Sequence, residues 1–270
     1  MHVPKHPLLW LAAAGLAGML AGCATPPPAS QPDALADYRS TNDPIEPFNR
    51  AMYGVNNQLD RYVIRPAAVA YTDVLPDGVR HAIHNVLGNL ASPVTLGNDM
   101  LQGRPRRAGD TLARFVINTT IGGLGAFDVA KRLGYPNHDT DFGVTLALWG
   151  VGTGPYLFLP VLGPGSPRDS SGRLVDIAAD PLGHFGQGIA VTALNWGRFT
   201  LNLVDARSQY LGTFKEIRRT ALDPYATFRS LYRQHRDAQV AATRTDDQRT
   251  VPAWFPAPSA ASSTPPAPAS

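Results

Sequence analysis

Through most of its middle the chain alternates hydrophobic and polar positions with the period of a helix. In PDGVRHAIHNVLGNLASPV, residues Val79, Ile83, Val86, Leu87 and Leu90 fall on one face at that spacing. Ser92-Pro93 is expected to break this helix, with Ser92 capping a restart. Upstream, NDPIEPFNRAMYGVNNQLDRYVIRP is read with Asp43 as N-cap, Pro44 at the first helical position and Glu46 at the third, a capping-box arrangement. This helix is expected to reach about Ile64 and to end at Pro66. A third starts near Asp110 and dissolves at Gly122 and Gly123. A long helical region covers about Gly188 to Thr220, and a last helix opens on Asp223-Pro224 and continues to about Ala242. Strand-like alternation is scarce, and a hairpin around Tyr156 to Val161 is its best candidate. The pattern therefore predicts a mainly α protein.

Charge is distributed unevenly over these elements. Phe115–Phe127, Phe142–Pro167 and Pro181–Gly197 carry no charged residue, and Phe199–Val204 follows a single Arg198. A soluble core also produces uncharged segments. These, however, hold Trp149, Tyr156, Phe158, Trp196 and Phe199 with little polar alternation, and a helix apolar all round is either deep core or lipid-facing. One domain of about 200 residues has little room for so many deep-core segments. None is an unbroken apolar run long enough to span a bilayer. The expectation is of helices that sink partly into one leaflet. Within WGVGTGPYLFLPVLGPGSP, glycines at 150, 152 and 154 let the chain bend cheaply, and Pro155 and Pro160 stiffen the apolar arm beyond them. Gly150, Gly152, Gly154 and Pro155 are read as a hinge or gate, with a plain tight turn as the competing reading.

The first residues set the compartment. Lys5 gives a basic start, Leu8–Leu20 is an apolar run too short to cross a membrane, and Leu-Ala-Gly-Cys ends at Cys23. That ending resembles the lipobox of bacterial lipoproteins, which makes Cys23 the lipid-attachment site. Ala24 follows where an aspartate would favour the inner membrane, so the outer membrane is expected. Cys23 is the one cysteine, so no intrachain disulfide forms. The organisation predicted is a signal peptide (1–22), an acylated flexible tether (23–41), a helical domain (42–242) and a Pro/Ala/Ser-rich disordered tail (243–270). Charged residues make up 17% of the chain, against about 25% in ordinary globular domains. The basic residues are scattered rather than gathered in a stripe, which argues against nucleic acid as a partner.

No catalytic motif is complete in the chain. GVGTG lacks the Gly-Lys-Ser/Thr ending of a phosphate loop, and no Gly-x-Ser-x-Gly elbow is present. His81 and His84 share a helix face without a His-Glu-x-x-His pattern. His138, Asp139 and Asp141 are the nearest approach to acid–base machinery, and a polar loop accounts for them as well. The expectation is of no enzyme, no metal and no cofactor.

The chain carries further segments in a distinctive order: RPAAVAY from Arg65, NVLGNLASPV from Asn85, RFVINTTIGGLGAFDVA from Arg114 and DFGVTLALWGVGTGPYLFLPVLGP from Asp141. With NDPIEPFNRAMYGVNNQLD they resemble the MlaA (VacJ) family of outer-membrane lipoproteins. The matching motif positions are Asp43, Pro44, Glu46, Phe48, Asn49, Arg50, Asn118, Asp141, Phe142, Gly143, Arg168 and Asp169. The resemblance implies a ring of amphipathic helices in the inner leaflet of the outer membrane, with the Gly/Pro-rich segment as gate. It also implies a channel that removes phospholipid misplaced in the outer leaflet, returning it through a periplasmic lipid-binding shuttle, and association with a trimeric porin. The competing readings are a lipoprotein enzyme acting on envelope lipid or polymer through His138, Asp139 and Asp141, and a scaffold for porins.

Overall fold

The computed structural model describes residues 43–184 and 188–245, together with Ser30. Cys23, the rest of the tether and residues 246–270 lie outside them. The described chain is helical apart from one short hairpin: α1 (Glu46–Leu59), a π-helical turn (Asp60–Ile64), α2 (Arg65–Val74), α3 (Asp77–Leu101), α4 (Pro105–Thr120), α5 (Val129–Arg132), α6 (Phe142–Leu148), β1 (Leu157–Leu159), β2 (Gly163–Gly165), α7 (Pro167–Ala179), α8 (Pro181–His184), α9 (Ile189–Gln209), α10 (Leu211–Thr220) and α11 (Pro224–Thr245). Among these residues no helix is long and apolar enough to cross a membrane.

The element contacts close on themselves. α1 packs on β1, β1 pairs with β2, and β2 meets α11. From there contacts pass through α6 and α3 to α9, and α9 returns to α1 through the π turn. α2, α4 and α7 pack against this circuit, on α9, α3 and α6. The two strands are antiparallel, with Phe158 opposite Pro164.

Several boundaries differ from those expected of the sequence. The first helix starts at Glu46, so Pro47 rather than Pro44 sits in its first turn, and Asp43 does not cap it. Pro66 does not end the helix. The backbone widens to a π turn at Asp60–Ile64, the Arg65 amide bonds the Asp60 carbonyl, and Pro66 falls in the first turn of α2 where its missing N–H costs nothing. α3 likewise runs through Pro93, with the Ser92 hydroxyl donating to the Gly88 carbonyl one turn back. α4 starts at Pro105, earlier than Asp110. The long helical region is two helices parted at Tyr210.

The last helix runs past Ala242 to Thr245, and its end is packed. Thr243 is buried, Arg107 donates to the Ala242 carbonyl at 3.2 Å, and Arg104 donates to the Arg244 carbonyl at 2.9 Å. The Asp223-Pro224 start holds, since the Asp223 carboxylate accepts from the Ala226 amide.

Burial is inverted relative to a soluble domain. Among the described residues ten hydrophobic side chains are buried, against nineteen polar or charged ones, while Ile121, Leu124, Phe127, Leu174, Ile177, Leu194 and Trp196 are exposed. An aromatic core gathers Tyr156, Phe158 and Tyr225, with Met52, Tyr53 and Tyr232 packed around it.

α6 and α7 cross at two glycines. A Cβ on Gly172 would lie 2.7 Å from the Gly143 Cα, closer than real side chains come. Gly172→Val is therefore expected to force the helices apart and cost about 3 kcal/mol. A thermal melt with a midpoint within a degree of wild type would contradict that packing.

Candidate functional site

Most motif residues in the sequence form two ionic clusters, each centred on a buried carboxylate, Asp43 or Asp169, and both are closed by α11. In the first, Asp43 accepts from the Asn49 amide at 2.7 Å, from the Tyr225 hydroxyl and from Arg229 at 2.7 Å. Arg229 also reaches Glu46, and Arg50 joins Glu46 to Asp223 at 2.7 and 2.6 Å. Burial drives the Tyr225 hydroxyl to a higher pKa, and its bond to Asp43 adds to the shift. The second face of Asn49 holds the hairpin. Its Nδ2 donates to the Tyr156 carbonyl and its Oδ1 accepts from the Phe158 amide, each at 2.9 Å. Phe48 is half-buried beside it, and Pro44 lies in the turn before α1.

In the second cluster Arg236 spans two carboxylates. It bonds Asp141 at 2.7 and 3.0 Å and Asp169 at 2.7 Å. Arg168 and Tyr232 complete the partners of Asp169. Asp141 also caps α6 through the Val144 amide, and Ser166 caps α7 through the Asp169 amide. Gly143 leaves the space for this network, since a Cβ there would fall 2.7 Å from Arg236 Nη2 and 2.8 Å from Asp169 Oδ1. The ring of Phe142 meets Trp149 edge-on. Burial works to raise the Asp169 carboxyl, but the bonds from Arg236 and Tyr232 and the charge of Arg168 outweigh it and hold it at about 2.

Asn118 bridges Asp128 and the Ala130 amide. It borders a polar cavity of about 210 Å³ between α3 and α4, whose walls include Asn85, Asn89, Ser92, Arg114 and His138.

His138, Asp139 and Asp141 do not converge. His138 Nε2 lies 2.8 Å from Asp99, which also accepts from Thr111. Asp141 is engaged by Arg236, and the Asp139 backbone carbonyl accepts from Gln239. Among the described residues no three His, Cys, Asp or Glu side chains gather as a metal site.

The glycine segment forms one wall of an open cleft of about 540 Å³ whose other wall is α11, with Arg168 and Arg244 among its lining residues. Gly150 and Gly154 take positive φ, +90° and +75°. Gly152 does not, and the space beside it is open. The dihedral freedom expected of Gly152 therefore resides in its two neighbours. The guanidinium of Arg168 reaches the Val151 carbonyl, and Arg244 reaches that of Ala147.

The partners on α11 are absent from the sequence expectations. Tyr225, Arg229, Tyr232 and Arg236 recur at i, i+4, i+7 and i+11, a polar–aromatic stripe on one helix face that could have signalled them. Asp60 is absent too, although Arg207 and Arg218 donate to it across the start of the π turn.

Residues 41–239 match the family model for MlaA lipoproteins. The chain belongs to the MlaA lipoprotein family. It is 35% identical over 223 residues to the intermembrane phospholipid transport system lipoprotein MlaA of Shigella flexneri, covering 81% of this chain and 83% of that one. The protein of the same name from Escherichia coli (strain K12) gives 35% over 227 residues, with the same two coverages. That from Haemophilus influenzae gives 36% over 200 residues, covering 72% and 77%. A solved structure described as the basis for maintenance of bacterial outer membrane lipid asymmetry superposes with a TM-score of 0.62. It is 33% identical and covers 73% of this chain and 98% of its own. The positions expected to carry the family resemblance are chiefly residues that pin α1, the hairpin, α6 and α7 to the last helix.

Removing one partner from such a cluster strands a buried charge. Arg236→Met is expected to cost about 3–5 kcal/mol, because Asp141 and Asp169 lose their shared cation. Chemical denaturation that shows less than 1 kcal/mol of loss would place the clamp elsewhere. The wild type should also lose about 2 kcal/mol between pH 4 and pH 2, because Asp169, depressed to about 2 in the fold, stabilises above the ordinary carboxylate range and loses that contribution as it protonates. Arg236→Met should flatten this acid limb. An identical pH slope in the two proteins would show that the shift has another origin.

Proposed function

We propose that this chain is an outer-membrane lipoprotein that draws misplaced phospholipid out of the outer leaflet and passes it toward the inner membrane, thereby maintaining lipid asymmetry. The observation that carries the reading is the inversion of burial around a closed circuit of helices, with apolar residues outside and polar residues within. Such a molecule is matched to a hydrocarbon surround and a hydrophilic interior. The family relatives are named for intermembrane phospholipid transport.

In this reading Ile121, Leu124 and Phe127 at the end of α4, with Trp196 on α9, meet acyl chains of the inner leaflet. Headgroups pass along the polar cavity between α3 and α4, whose amide and hydroxyl walls replace water as partners. The Gly150–Pro155 segment acts as gate. It bends at Gly150 and Gly154 while Asn49 fixes the hairpin beyond it, and the cleft it fronts carries the guanidiniums of Arg168 and Arg244 for a phosphate. A lipidated Cys23 anchors the chain. A periplasmic lipid-binding shuttle receives the lipid, a trimeric porin holds the protein in place, and direction comes from these partners. No step makes or breaks a covalent bond.

The gate is tested by Gly150→Val, with Gly152→Val beside it. Valine at Gly150 costs about 1–3 kcal/mol of backbone strain but meets no neighbour, whereas at Gly152 it meets neither strain nor neighbour. At matched abundance, Gly150→Val is expected to change outer-leaflet phospholipid at least severalfold and Gly152→Val to leave it near wild type. Normal lipid in both strains would make the segment a simple turn. Mass spectrometry of the same material is expected to find the mature chain beginning at an acylated Cys23.

A further inference from the structure

A second cavity, away from the polar one, lies where α1, the π turn, the hairpin, α9, α10 and α11 converge. It measures about 210 Å³, and its walls include the rings of Tyr53, Phe158, Phe214 and Phe228. Phe214 and Phe228 lie 4.8 Å apart with their rings tilted by 51°, and Tyr53 meets Phe158 edge-on at 5.5 Å. One side is charged. Asp60 accepts from Arg207 at 2.6 and 3.2 Å and from Arg218 at 2.6 Å.

Two guanidiniums thus face one carboxylate, which leaves one positive charge in excess. Burial works to raise the Asp60 carboxyl, yet the two arginines hold it below the usual range, so it stays ionised and the excess remains one. Arg207 is 8% exposed, and its Nη1 is buried without an acceptor while its carbon centre sits 4.2 Å over the Phe214 ring. A buried guanidinium N–H without a partner is costly in a folded chain and calls for an explanation at that site. Opposite, Val161 borders the cavity with φ at +69°, a strained conformation for a β-branched residue, held by the Asn56 side chain on its amide.

We propose that this cavity binds a single-chain anionic amphiphile, its acyl tail among the four aromatic rings and its head, a carboxylate or monoester phosphate, on the guanidiniums of Arg218 and Arg207. Arg207 Nη1, closed off as the chain stands, turns toward the head to gain an acceptor, and the excess charge is neutralised. The volume, about 210 Å³ or roughly seven water molecules' worth, takes the tail end of one chain, the remainder lying in the open mouth, and is too small for the two tails of a diacyl phospholipid side by side. The site is therefore a separate one from a diacyl transport path and does not rest on the transport reading, which is judged by outer-leaflet phospholipid alone.

The test uses the full mature protein in phosphatidylcholine nanodiscs with a trace of dodecanoate carrying a diazirine near its tail. Illumination is expected to give saturable adducts on peptides that contain Leu203, Phe214 or Phe228. Unlabelled dodecanoate and a single-chain lysophosphatidic acid should displace the label, while dodecyltrimethylammonium and diacyl phosphatidylglycerol should not. Displacement by only one of the two anions identifies the head as carboxylate or phosphate, and either result supports the site. Arg218→Gln, which leaves the Arg207–Asp60 pair in place, should weaken labelling by about tenfold, the size of one lost charge-assisted bond. Leu203→Trp, which fills the cavity, should abolish it. Should either variant fail to fold, wild-type mapping and competition decide alone. Adducts confined to other peptides, equal displacement by the cation, or equal displacement by diacyl lipid would each overturn the proposal.

Discussion

Buried charge must be paired, and in this chain that constraint holds the fold together. Its hydrophobic side chains are largely turned outward, so the circuit of helices cannot rely on an oily centre for adhesion. Adhesion falls to Asp43, Asp60, Asp141 and Asp169, each met by at least one guanidinium brought from distant sequence. Such pairs gain little over well-packed apolar substitutes, but each is strongly destabilised by loss of one member. Charge pairing therefore specifies which helix faces meet, a specificity that apolar contact, which discriminates poorly between faces, does not supply.

The two glycine features follow from the same constraint. Gly143 is small because Arg236 and Asp169 occupy the place a side chain would take, and Gly172 is small because α7 must approach α6 closely enough for Asp169 to reach them. The hairpin is held by Asn49, whose carboxamide offers donor and acceptor together to Tyr156 and Phe158, with Asn56 on the Val161 amide. Its strands are three residues each and make too little contact to persist alone.

Local chemistry made much of the helical content legible in the sequence. Asp223-Pro224 starts α11 as a cap followed by a proline, and the face from Val79 to Leu90 is helical as spaced. The signal failed at prolines. Pro66 and Pro93 read as stops, yet the helix continues through both, by a wider turn at Asp60–Ile64 in the first case. Asp43 shows the limit most plainly. As a residue ahead of a helix it reads as a cap, and its real partners are Tyr225 and Arg229, some 182 and 186 positions away. No local pattern encodes that pairing, although the stripe on α11 advertised that some partner existed. The glycine segment was legible as a bend, but which glycines carry the unusual dihedrals depends on how α6 ends.

The ties between Asp43 and the last helix also bear on how the molecule comes into being. The residue just ahead of α1 and the helix that closes the circuit are mutually dependent, so the circuit stays open until nearly the whole chain is available. Until then Asp43, Asp141 and Asp169 lack the arginines of α11. Non-local closure of this kind is slow, and a chain cut short of α11 cannot latch at all.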